Sequence, residues 1–396
     1  MNDYYGVHGP IHVYRHCNPT HMLLQSFIDL INHGDIVKPR GKEIKEIRPA
    51  IFAFTNPRNQ VTFLRGRKIN PFFQRSECLW ILAGRSDVEW LLHYNKNMKM
   101  FSDNGIHFNA PYGERLRYWG KNDASNYIYN PIDQLKGVYD TLKADPDSRQ
   151  AVASIWNPLF DGFHYKGLDR PCNMLLTFKI RNKKLDLTVY NRSNDHLWGL
   201  GGANLAQFTT ILLTMAAWLG VEPGTYYHIS DSLHIYTDSY GYKEVEKIIN
   251  AYGGIENFKE EREELDTTHF TFSNEPVPQM SFEEFEAFLN QYLNGVHQAI
   301  HSDDMIKTPE AFKDLLDVIA TLKDDYFRDT LYIMTSYRAH RLGIPEHVFE
   351  AMRRVNDSQW KISCLYFLHG KYKDNEEFKG LYKHYPAEVV QYIEEG

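Results

Sequence analysis

Two runs of alternating apolar residues predict a pair of β-strands in the middle of the chain. Apolar side chains occupy every second position in both runs: Met174, Leu176, Phe178 and Ile180, then Leu185, Leu187 and Val189. A period of two is that of a strand with one buried face. The polar residues 181–184 separate the runs at a length suited to a tight turn. We therefore expect a β-hairpin over residues 174–190.

A buried helix is predicted shortly after the hairpin. Apolar residues recur there at steps of three and four: Leu205, Phe208, Leu212, Met215, Ala216 and Leu219. This spacing puts them on one helix face, Gly220 would end the helix, and Pro223–Gly224 would form a turn. The glycine-rich stretch 199–204 is expected to be a loop. Asn204, at its end, would either cap the helix or bind the amide edge of a ligand, and the pattern alone favours the cap.

Helical spacing dominates after a compositional break at residues 245–280. Ser281 with Glu284 forms a capping-box pattern, and Thr308–Pro309 opens a second helix. The acidic segment 260–266 within the break is expected to be a solvated helix face or a linker.

Further helices are expected from Pro345 and around Trp360. The patterns together predict an α/β part over residues 1–245 and a mainly helical extension over residues 246–396. We expect the two parts to pack into the same body.

Composition narrows the class of protein. The chain has 396 residues, of which 43% are hydrophobic, and a formal net charge of −7. This favours a folded protein and argues against a surface that binds nucleic acid along its length. Met1–His16 lacks a signal-peptide pattern, and the longest near-apolar stretch, 211–221, is too short to span a membrane. We therefore expect a cytoplasmic protein that binds neither nucleic acid nor membrane.

Four cysteines lie far apart in the sequence, without the spacing of a disulfide framework or a zinc site, so no metal is expected. A lone cysteine is more often a small buried apolar residue than a nucleophile. Only a neighbouring cation that stabilises the thiolate would change that for Cys172, and Arg170 and Arg192 are the candidates.

Several motifs follow one another in an order that resembles the thymidylate synthase family, which includes the phage pyrimidine-nucleotide hydroxymethylases. These motifs are Gly34-Asp35 with Arg40-Gly41, Glu77–Leu82 with Gly84, Pro111–Gly113, Pro171-Cys172, Asn191–Asp195, Gly199–Asn204 and His234–Tyr236. The resemblance covers residues 20–240. It implies an α/β fold with a large twisted mixed sheet flanked by helices, and a homodimer that pairs through one face of that sheet.

The resemblance also implies the chemistry. Cys172 would add to C6 of a uracil ring, so that C5 attacks the one-carbon unit of 5,10-methylenetetrahydrofolate. Glu77 would move protons near O4, Tyr112 would assist at C5, and Asp195 would orient the folate. The residues implied to contact the nucleotide are Arg40, Arg149, Arg192, Ser193, Asn204, His234 and Tyr236. Those implied to contact the folate are Glu77, Phe101, Asp195 and Gly199.

Three features concern how the nucleotide would be held. Arg40, Arg149 and Arg192 would bind its 5′-phosphate, with Arg149 reaching into the site of the other subunit. Gln150 stands where the family usually has a further arginine, and Asn173 where it usually has histidine.

Base recognition would rest on Asn204, whose amide can donate to O4 and accept from N3–H of uracil. The interval from Arg192 to Asn204 is one residue longer than is usual in the family. Asn204 therefore matches only if the Gly201–Gly202 stretch accommodates the extra residue.

Two positions favour hydroxymethylation over methylation. Phe101 stands where a synthase has tryptophan, and Asp169 stands where it has leucine. A carboxylate at position 169 could activate a water, unless it only pairs with Arg170 on the surface. The expectation is a deoxyuridylate 5-hydroxymethylase of viral type. The alternatives are a thymidylate synthase, a dCMP hydroxymethylase, or a nucleotide-binding protein without catalysis.

Overall fold

The computed structural model describes residues 11–121, 130–238, 240–259, 270, 272 and 275–395. The acidic segment 260–266 lies outside the described residues. The strands are β1 (His12–His16), β2 (Asp35–Val37), β3 (Ile44–Ile47), β4 (Ala50–Phe54), β5 (Val152–Ser154), β6 (Asn173–Arg181), β7 (Lys184–Asn191), β8 (Asn194–Asp195), β9 (Glu222–Ser230) and β10 (Leu233–Tyr236).

Helices precede, separate and follow the strands. They are α1 (Pro19–His33), α2 (Pro71–Leu82), α3 (Val88–Leu92), α4 (Tyr112–Arg117), α5 (Gln134–Ala144), α6 (Pro158–Asp161), α7 (Leu205–Leu219), α8 (Tyr240–Ala251), α9 (Glu256–Lys259), α10 (Phe282–Ala287), α11 (Asn294–His301), α12 (Asp303–Lys307), α13 (Pro309–Ala320), α14 (Asp325–Leu342), α15 (Pro345–Arg354), α16 (Gln359–Tyr372), α17 (Glu376–Lys379) and α18 (Ala387–Glu394). Two 3-10 turns cover Pro39–Gly41 and Lys96–Phe101, and π-helical segments cover His196–Asn204 and Phe288–Leu293.

The strands form two sheets. A six-stranded mixed sheet has the order β1-β4-β9-β7-β6-β5, and a four-stranded sheet has the order β2-β3-β10-β8. The predicted hairpin is present as β6 and β7, joined by Asn182 and Lys183 at φ values of 52° and 60°. Met174 is only half-buried, because the β6–β7 register shifts between Asn173 and Leu175.

One face of the six-stranded sheet is buried by helices and the other is not. Five residues that lie side by side across the strands form the buried row: Tyr14, Phe52, His228, Val189 and Leu176, each at most 9% exposed. The neighbouring row, which points to the opposite face, consists of Val13, Ile51, Ile229, Tyr190 and Leu175, all exposed or half-buried. The single chain thus presents a broad, partly apolar sheet face to its surroundings.

The predicted buried helix is α7, which ends at Gly220 with a left-handed φ of 65°. Together with the π-helical segment before it, His196–Leu219 is long and apolar enough to pass for a membrane span, and 83% of its most apolar window is buried inside the protein. Packing against the sheet accounts for this composition. The predicted Pro223–Gly224 turn is wrong: both residues belong to β9, which begins at Glu222.

The helical extension packs against the α/β part. The capping box of Ser281 and Glu284 is formed, and helices begin at Pro309 and Pro345 as predicted. Helices α14 and α16 lie against α2, where the ring of Phe72 stacks on Tyr337 with 4.9 Å between centroids. One buried apolar cluster includes residues of both parts. A domain boundary at residue 245 stays a prediction.

Candidate active site

Cys172 and Arg192 meet because they flank the β6–β7 hairpin at its open end. Asn173 pairs with Asn191 in the sheet, so the residue before β6 and the residue after β7 become neighbours. The Arg192 backbone N–H donates to the Cys172 carbonyl at 3.1 Å, and its guanidinium lies 3.9 Å from Sγ. Arg170 points elsewhere and donates to carbonyl oxygens of the preceding loop. Of the two candidate cations, Arg192 is the one at the thiol.

The charges around Cys172 are nearly balanced. Burial raises the pKa of the Cys172 thiol, and the carboxyl groups of Asp169 and Asp195 act in the same direction. Arg192 and Arg40 oppose them by stabilising the thiolate. In the single chain burial outweighs the two cations, so the pKa of Cys172 lies above its usual value.

The second sheet brings Arg40, His234 and Tyr236 to the same place. Arg40 lies in an exposed 3-10 turn with a left-handed φ of 54°, and its charge acts on the hydroxyl of Tyr236, where it opposes the rise in pKa that burial causes. His234 pairs with Asp195 of β8 in the sheet, and its ring lies edge-on to Tyr236. The turn that carries Arg40 and the hairpin end that carries Arg192 thus place two guanidinium groups within electrostatic range of the thiol.

The glycine-rich stretch is helical and not the loop that the sequence predicts. His196–Asn204 is a π-helix, in which the Leu205 N–H donates to the Leu200 carbonyl five residues earlier. Asp195 caps it, since Oδ1 accepts from the N–H groups of Leu197 and Trp198, both at 2.8 Å. A π-helix takes up one residue more per turn than an α-helix would. This accommodates the long interval between Arg192 and Asn204.

Close packing explains the glycines of this π-helix. A Cβ on Gly199 would lie 2.4 Å from Asn194 Oδ1, and one on Gly201 would lie 2.7 Å from Leu23 of α1. Ser193, in the link between β7 and β8, is half-buried beside this segment. The absence of side chains at 199 and 201 therefore lets the turn approach its neighbours.

Asn204 does not cap α7, so the favoured expectation for it is wrong. It sits inside the continuous helix at φ −67° and ψ −36°, without a capping hydrogen bond. Its Oδ1 accepts from Asn194 Nδ2 at 2.9 Å. Its Nδ2 donates to Asn173 Oδ1 at 3.3 Å and to Gln207 Oε1 at 3.2 Å. A donor on one side and two acceptors on the other fix the orientation of this amide.

His228 anchors the other end of the same network. Its Nε2 accepts from Asn194 Nδ2 at 2.8 Å and from Asn191 Nδ2 at 3.1 Å, and its Nδ1 lies 2.7 Å from the Tyr226 hydroxyl. Burial lowers the pKa of His228 to about 3, so the ring is neutral. Two donors on Nε2 place the ring proton on Nδ1.

Glu77 is held at the far end of this network. It lies on α2, is 8% exposed, and accepts from Gln207 Nε2 at 2.7 Å. Burial raises the pKa of Glu77 to about 7, while the amide of Gln207 opposes that rise. Such a carboxyl group changes its protonation near neutral pH, as an acid–base group requires.

Tyr112 and Asp169 lie on the other side of the thiol. Tyr112 opens α4, burial raises the pKa of its hydroxyl, and the charges of Cys172 and Asp169 act in the same direction while the backbone of Asn173 and Cys172 opposes them. Asp169 Oδ2 accepts from the Ala110 N–H at 2.7 Å. Burial raises the pKa of the Asp169 carboxyl. A surface pair of Asp169 with Arg170 does not form, because the two side chains bind different backbone groups.

Phe101 lies at the edge of this region and is 50% exposed. It ends a 3-10 turn, and the next loop is tied to the segment before Cys172 by Asp103. Asp103 accepts from the Tyr165 hydroxyl at 2.5 Å and from the Leu168 N–H at 2.8 Å. A place for Phe101 in the folate site stays a prediction.

Arg149 is not part of this cluster in the single chain. It is exposed and precedes β5, whose Val152 pairs with Thr177 in the middle of β6. The chain before β5 runs on toward the far end of β6, where Arg181 Nη2 donates to the Asp147 carbonyl at 3.3 Å. Cys172 precedes the near end of β6, so strand geometry separates Arg149 from it by roughly 20 Å or more. Arg149 and Gln150 therefore lie at the edge of the sheet, away from the thiol.

Sequence reasoning missed the contacts of Gln207, which bonds Asn204 and Glu77, and those of His228, which bonds Asn194 and Asn191. Gln207 lies three residues after Asn204 in a mainly apolar helix, so the two share a face. A buried polar residue at that spacing was a usable signal. The contacts of His228 had no local signal, because β9 meets β7 only through the sheet.

The amino-acid sequence is similar to known proteins of one family. A family model described as thymidylate synthase matches residues 23–287. The chain is 49% identical over 382 residues to the deoxyuridylate hydroxymethyltransferase of Bacillus phage SP01, covering 94% of each. It is 27% identical over 317 residues to the protein of the same name from Delftia phage PhiW-14, covering 77% of this chain and 81% of that one. The thymidylate synthase of varicella-zoster virus (strain Dumas) is 30% identical over 202 residues, covering 46% of this chain and 64% of the viral protein.

Proposed function

Because this chain belongs to the thymidylate synthase family, we propose that it is a deoxyuridylate 5-hydroxymethylase. It transfers a one-carbon unit from 5,10-methylenetetrahydrofolate to C5 of dUMP and releases 5-hydroxymethyl-dUMP and tetrahydrofolate. Two phage relatives bear the name deoxyuridylate hydroxymethyltransferase, which supports a role in making modified viral DNA in the cytoplasm of a host. The observation that carries the proposal is the carboxyl group of Asp169 beside Cys172 and Tyr112.

Cys172 is the nucleophile. Its sulfur bonds to C6 of the uracil ring, which moves electron density to C5 and lets C5 attack the one-carbon unit. Arg192, 3.9 Å from Sγ, stabilises the thiolate that this step needs. Tyr112, whose hydroxyl lies against the backbone at Cys172 and Asn173, assists removal of the C5 proton.

Asn204 and Glu77 act on the polar edge of the ring. When the ring binds, Asn204 Oδ1 accepts from N3–H with the lone pair that Asn194 does not use, and one Nδ2 hydrogen exchanges its present acceptor, Asn173 or Gln207, for O4 of uracil. Glu77, with a pKa of about 7, exchanges a proton with O4 as charge moves onto that oxygen. Both groups lie among neutral amides, where an electrostatic interaction is stronger than in water.

Asp169 decides what happens to the one-carbon unit. When tetrahydrofolate has left, C5 holds an exocyclic methylene that accepts either hydride or water. The carboxylate of Asp169 binds a water and takes its proton as the oxygen adds to that methylene. The electron pair of the methylene bond moves onto the ring, restores the C5–C6 double bond and expels the Cys172 sulfur from C6, which releases the product. Phe101 is half-exposed and leaves the approach open to water, in keeping with hydration.

The folate occupies the side of the site bordered by Glu77, Phe101, Asp195 and Gly199. Asp195 is the group best suited to orient it, because its Oδ1 already binds two backbone N–H groups while Oδ2 stays available. Burial raises the pKa of the Asp195 carboxyl. The chemistry that the folate supplies is a carbon at the oxidation level of formaldehyde.

A homodimer completes the phosphate site. The open face of the six-stranded sheet, with Val13 61% exposed, is suited to pairing with its own copy about a two-fold axis. Arg40, Arg192, Ser193, His234 and Tyr236 bind the nucleotide from one subunit, and Arg149 reaches it from the other. A further guanidinium and a bound phosphate nearby would also alter the charge balance at Cys172.

Mass analysis of the product tests this function. Incubated with dUMP and methylenetetrahydrofolate, the enzyme is expected to yield a nucleotide heavier than dTMP by one oxygen. Cys172→Ala is expected to form no product, since it lacks the attacking sulfur. Formation of dTMP with dihydrofolate would establish a synthase instead, and preference for dCMP a cytidylate hydroxymethylase. Equal activity of Cys172→Ala would refute covalent catalysis.

A further inference from the structure

Tyr326, the second residue of α14, connects the helical extension to two helices of the α/β part. The side chain is 2% exposed. Its hydroxyl lies 2.7 Å from Thr210 Oγ1 on α7. The guanidinium of Arg75, on α2, stacks on the tyrosine ring at 3.9 Å and donates to the Tyr326 carbonyl at 2.8 Å. One residue of the extension therefore contacts both α2 and α7.

The Tyr326 hydroxyl belongs to a closed ring of three hydrogen bonds. Gln60 Nε2 donates to Thr210 Oγ1 at 3.1 Å, and the Tyr326 hydroxyl donates to Gln60 Oε1 at 3.0 Å. The Thr210 hydroxyl then donates to Tyr326, which completes the ring. Each member is at most 3% exposed, so water cannot easily replace a lost partner.

The two helices held by Tyr326 are those that carry the Glu77–Gln207 pair. Arg75 precedes Glu77 by two residues on α2, and Thr210 follows Gln207 by three residues on α7. The 2.7 Å hydrogen bond between Gln207 and Glu77 spans the gap between these helices. Its length therefore depends on how far apart α2 and α7 are held.

We propose that Tyr326 is a positioning residue that fixes the spacing of α2 and α7 and thereby keeps Gln207 against the Glu77 carboxyl group. This inference rests on the proposed function, because it concerns the acid–base role of Glu77. It gives the helical extension a task in catalysis: the extension supports the helix that presents the proton-transfer group.

Tyr326→Phe in the full-length enzyme is the direct test. The variant keeps the ring over Arg75 and removes only the hydroxyl. Turnover of dUMP is expected to fall on the order of tenfold with little change in KM, since small displacements of a catalytic group are costly. The limb of the kcat–pH profile set by Glu77 is expected to move to higher pH. The reason is that the Gln207 N–H stabilises the carboxylate, so a weaker hydrogen bond raises the pKa of Glu77.

Two further variants make the test specific. Tyr332→Phe removes a hydroxyl from the same helix that donates to the Leu316 carbonyl at 3.3 Å within the extension, and it is expected to leave turnover and pH profile unchanged. Thr210→Val breaks the same ring from the α7 side and is expected to reproduce Tyr326→Phe. It also serves if the tyrosine variant does not fold.

The outcomes separate the two proposals. If Glu77→Gln is inactive while folded Tyr326→Phe and Thr210→Val keep the wild-type kcat and pH profile, the positioning role is overturned and the function stands. The same holds if Tyr332→Phe shifts the profile as much as Tyr326→Phe does. If Glu77→Gln itself turns over normally, the acid–base role of Glu77 fails, and the positioning role fails with it.

Discussion

The two sides of the candidate site are built on opposite principles. The phosphate side, defined as Arg40, Arg192 and Tyr236, lies on a turn, a hairpin end and a strand, and its groups are exposed or half-buried. The ring side, defined as Glu77, Asn204, Gln207, Asn194 and His228, lies on helices and sheet interior, and each member is at most 8% exposed. One side attracts an ion from water, and the other presents fixed dipoles to a flat ring.

This difference indicates where specificity and rate reside. Exposed guanidinium groups can rearrange around a phosphate, so small changes there affect binding more than chemistry. The amides of the ring side hydrogen-bond one another, so one altered group leaves a buried neighbour without its partner. We therefore expect substitutions on the ring side to lower kcat and those on the phosphate side to raise KM.

Glu77→Gln is expected to have the largest effect among the substitutions that spare the thiol. An amide keeps the size of the side chain but cannot exchange a proton, so kcat should fall ~10²–10⁴-fold with KM for dUMP nearly unchanged. The wild-type kcat profile should show an ionisation near pH 7, because burial raises the pKa of Glu77 to about 7. The variant should lack it. Steady-state kinetics between pH 5 and 9 measure both.

Glu114→Gln is the matched control. Glu114 is also 8% exposed and also lies on a helix, but its carboxylate faces Lys121 at a distance of 3.9 Å. This variant should retain the ionisation near pH 7. Should both variants lose it, the ionisation belongs to the fold as a whole and the contrast between the two sides is lost.

The positions of the phosphate-side residues were largely predictable from the sequence, and the contacts of the ring-side residues were not. Arg192 follows a strand whose alternation is plain, so its place at the end of a hairpin was predictable from a local pattern. The family resemblance supplied Arg40 and Tyr236, and the family match confirms that resemblance. The roles of these residues stay predictions.

The ring side was harder to predict because its contacts are long-range. Asn194 and His228 are 34 residues apart in sequence and lie in different sheets, Asn194 in the four-stranded and His228 in the six-stranded sheet. The π-helix before α7 was predicted to be a loop, since its three glycines normally oppose helix formation. Close packing against Leu23 and Asn194 favours the helix there. Likewise, the apolar stripes of the extension predicted helices but could not specify that α14 packs on α2.

Arg149→Ala tests whether the phosphate side is complete in one chain. Removal of a charge-assisted contact to phosphate should lower kcat/KM by about 10- to 100-fold. If Arg149 acts on the partner's site, a mixed dimer of an Arg149→Ala chain and a Cys172→Ala chain has one intact site of its two.

When equal amounts of the two variants re-pair at random, half of the dimers are mixed. About a quarter of wild-type activity should then return. Additive, unrescued losses would show that each chain uses its own Arg149.

Arg192→Lys should have the smallest effect and sharpen the contrast most finely. Lysine keeps the charge but cannot reproduce the present fork, in which Nε donates to the Pro171 carbonyl at 2.9 Å and Nη2 to the Arg170 carbonyl at 3.2 Å. We expect KM for dUMP to rise about tenfold, with a smaller drop in kcat. The rise in KM should be larger at high salt, because a point charge is screened more readily than a bidentate contact. Lys42→Arg, at the edge of the Tyr236 ring, is the control and should leave KM unchanged. A different outcome would contradict this assignment: a fall in kcat as large as that of Glu77→Gln, at constant KM. Arg192 would then act in the chemical step, through its contact with the Cys172 sulfur. The division of the site into a binding side and a reacting side would then be wrong for this residue.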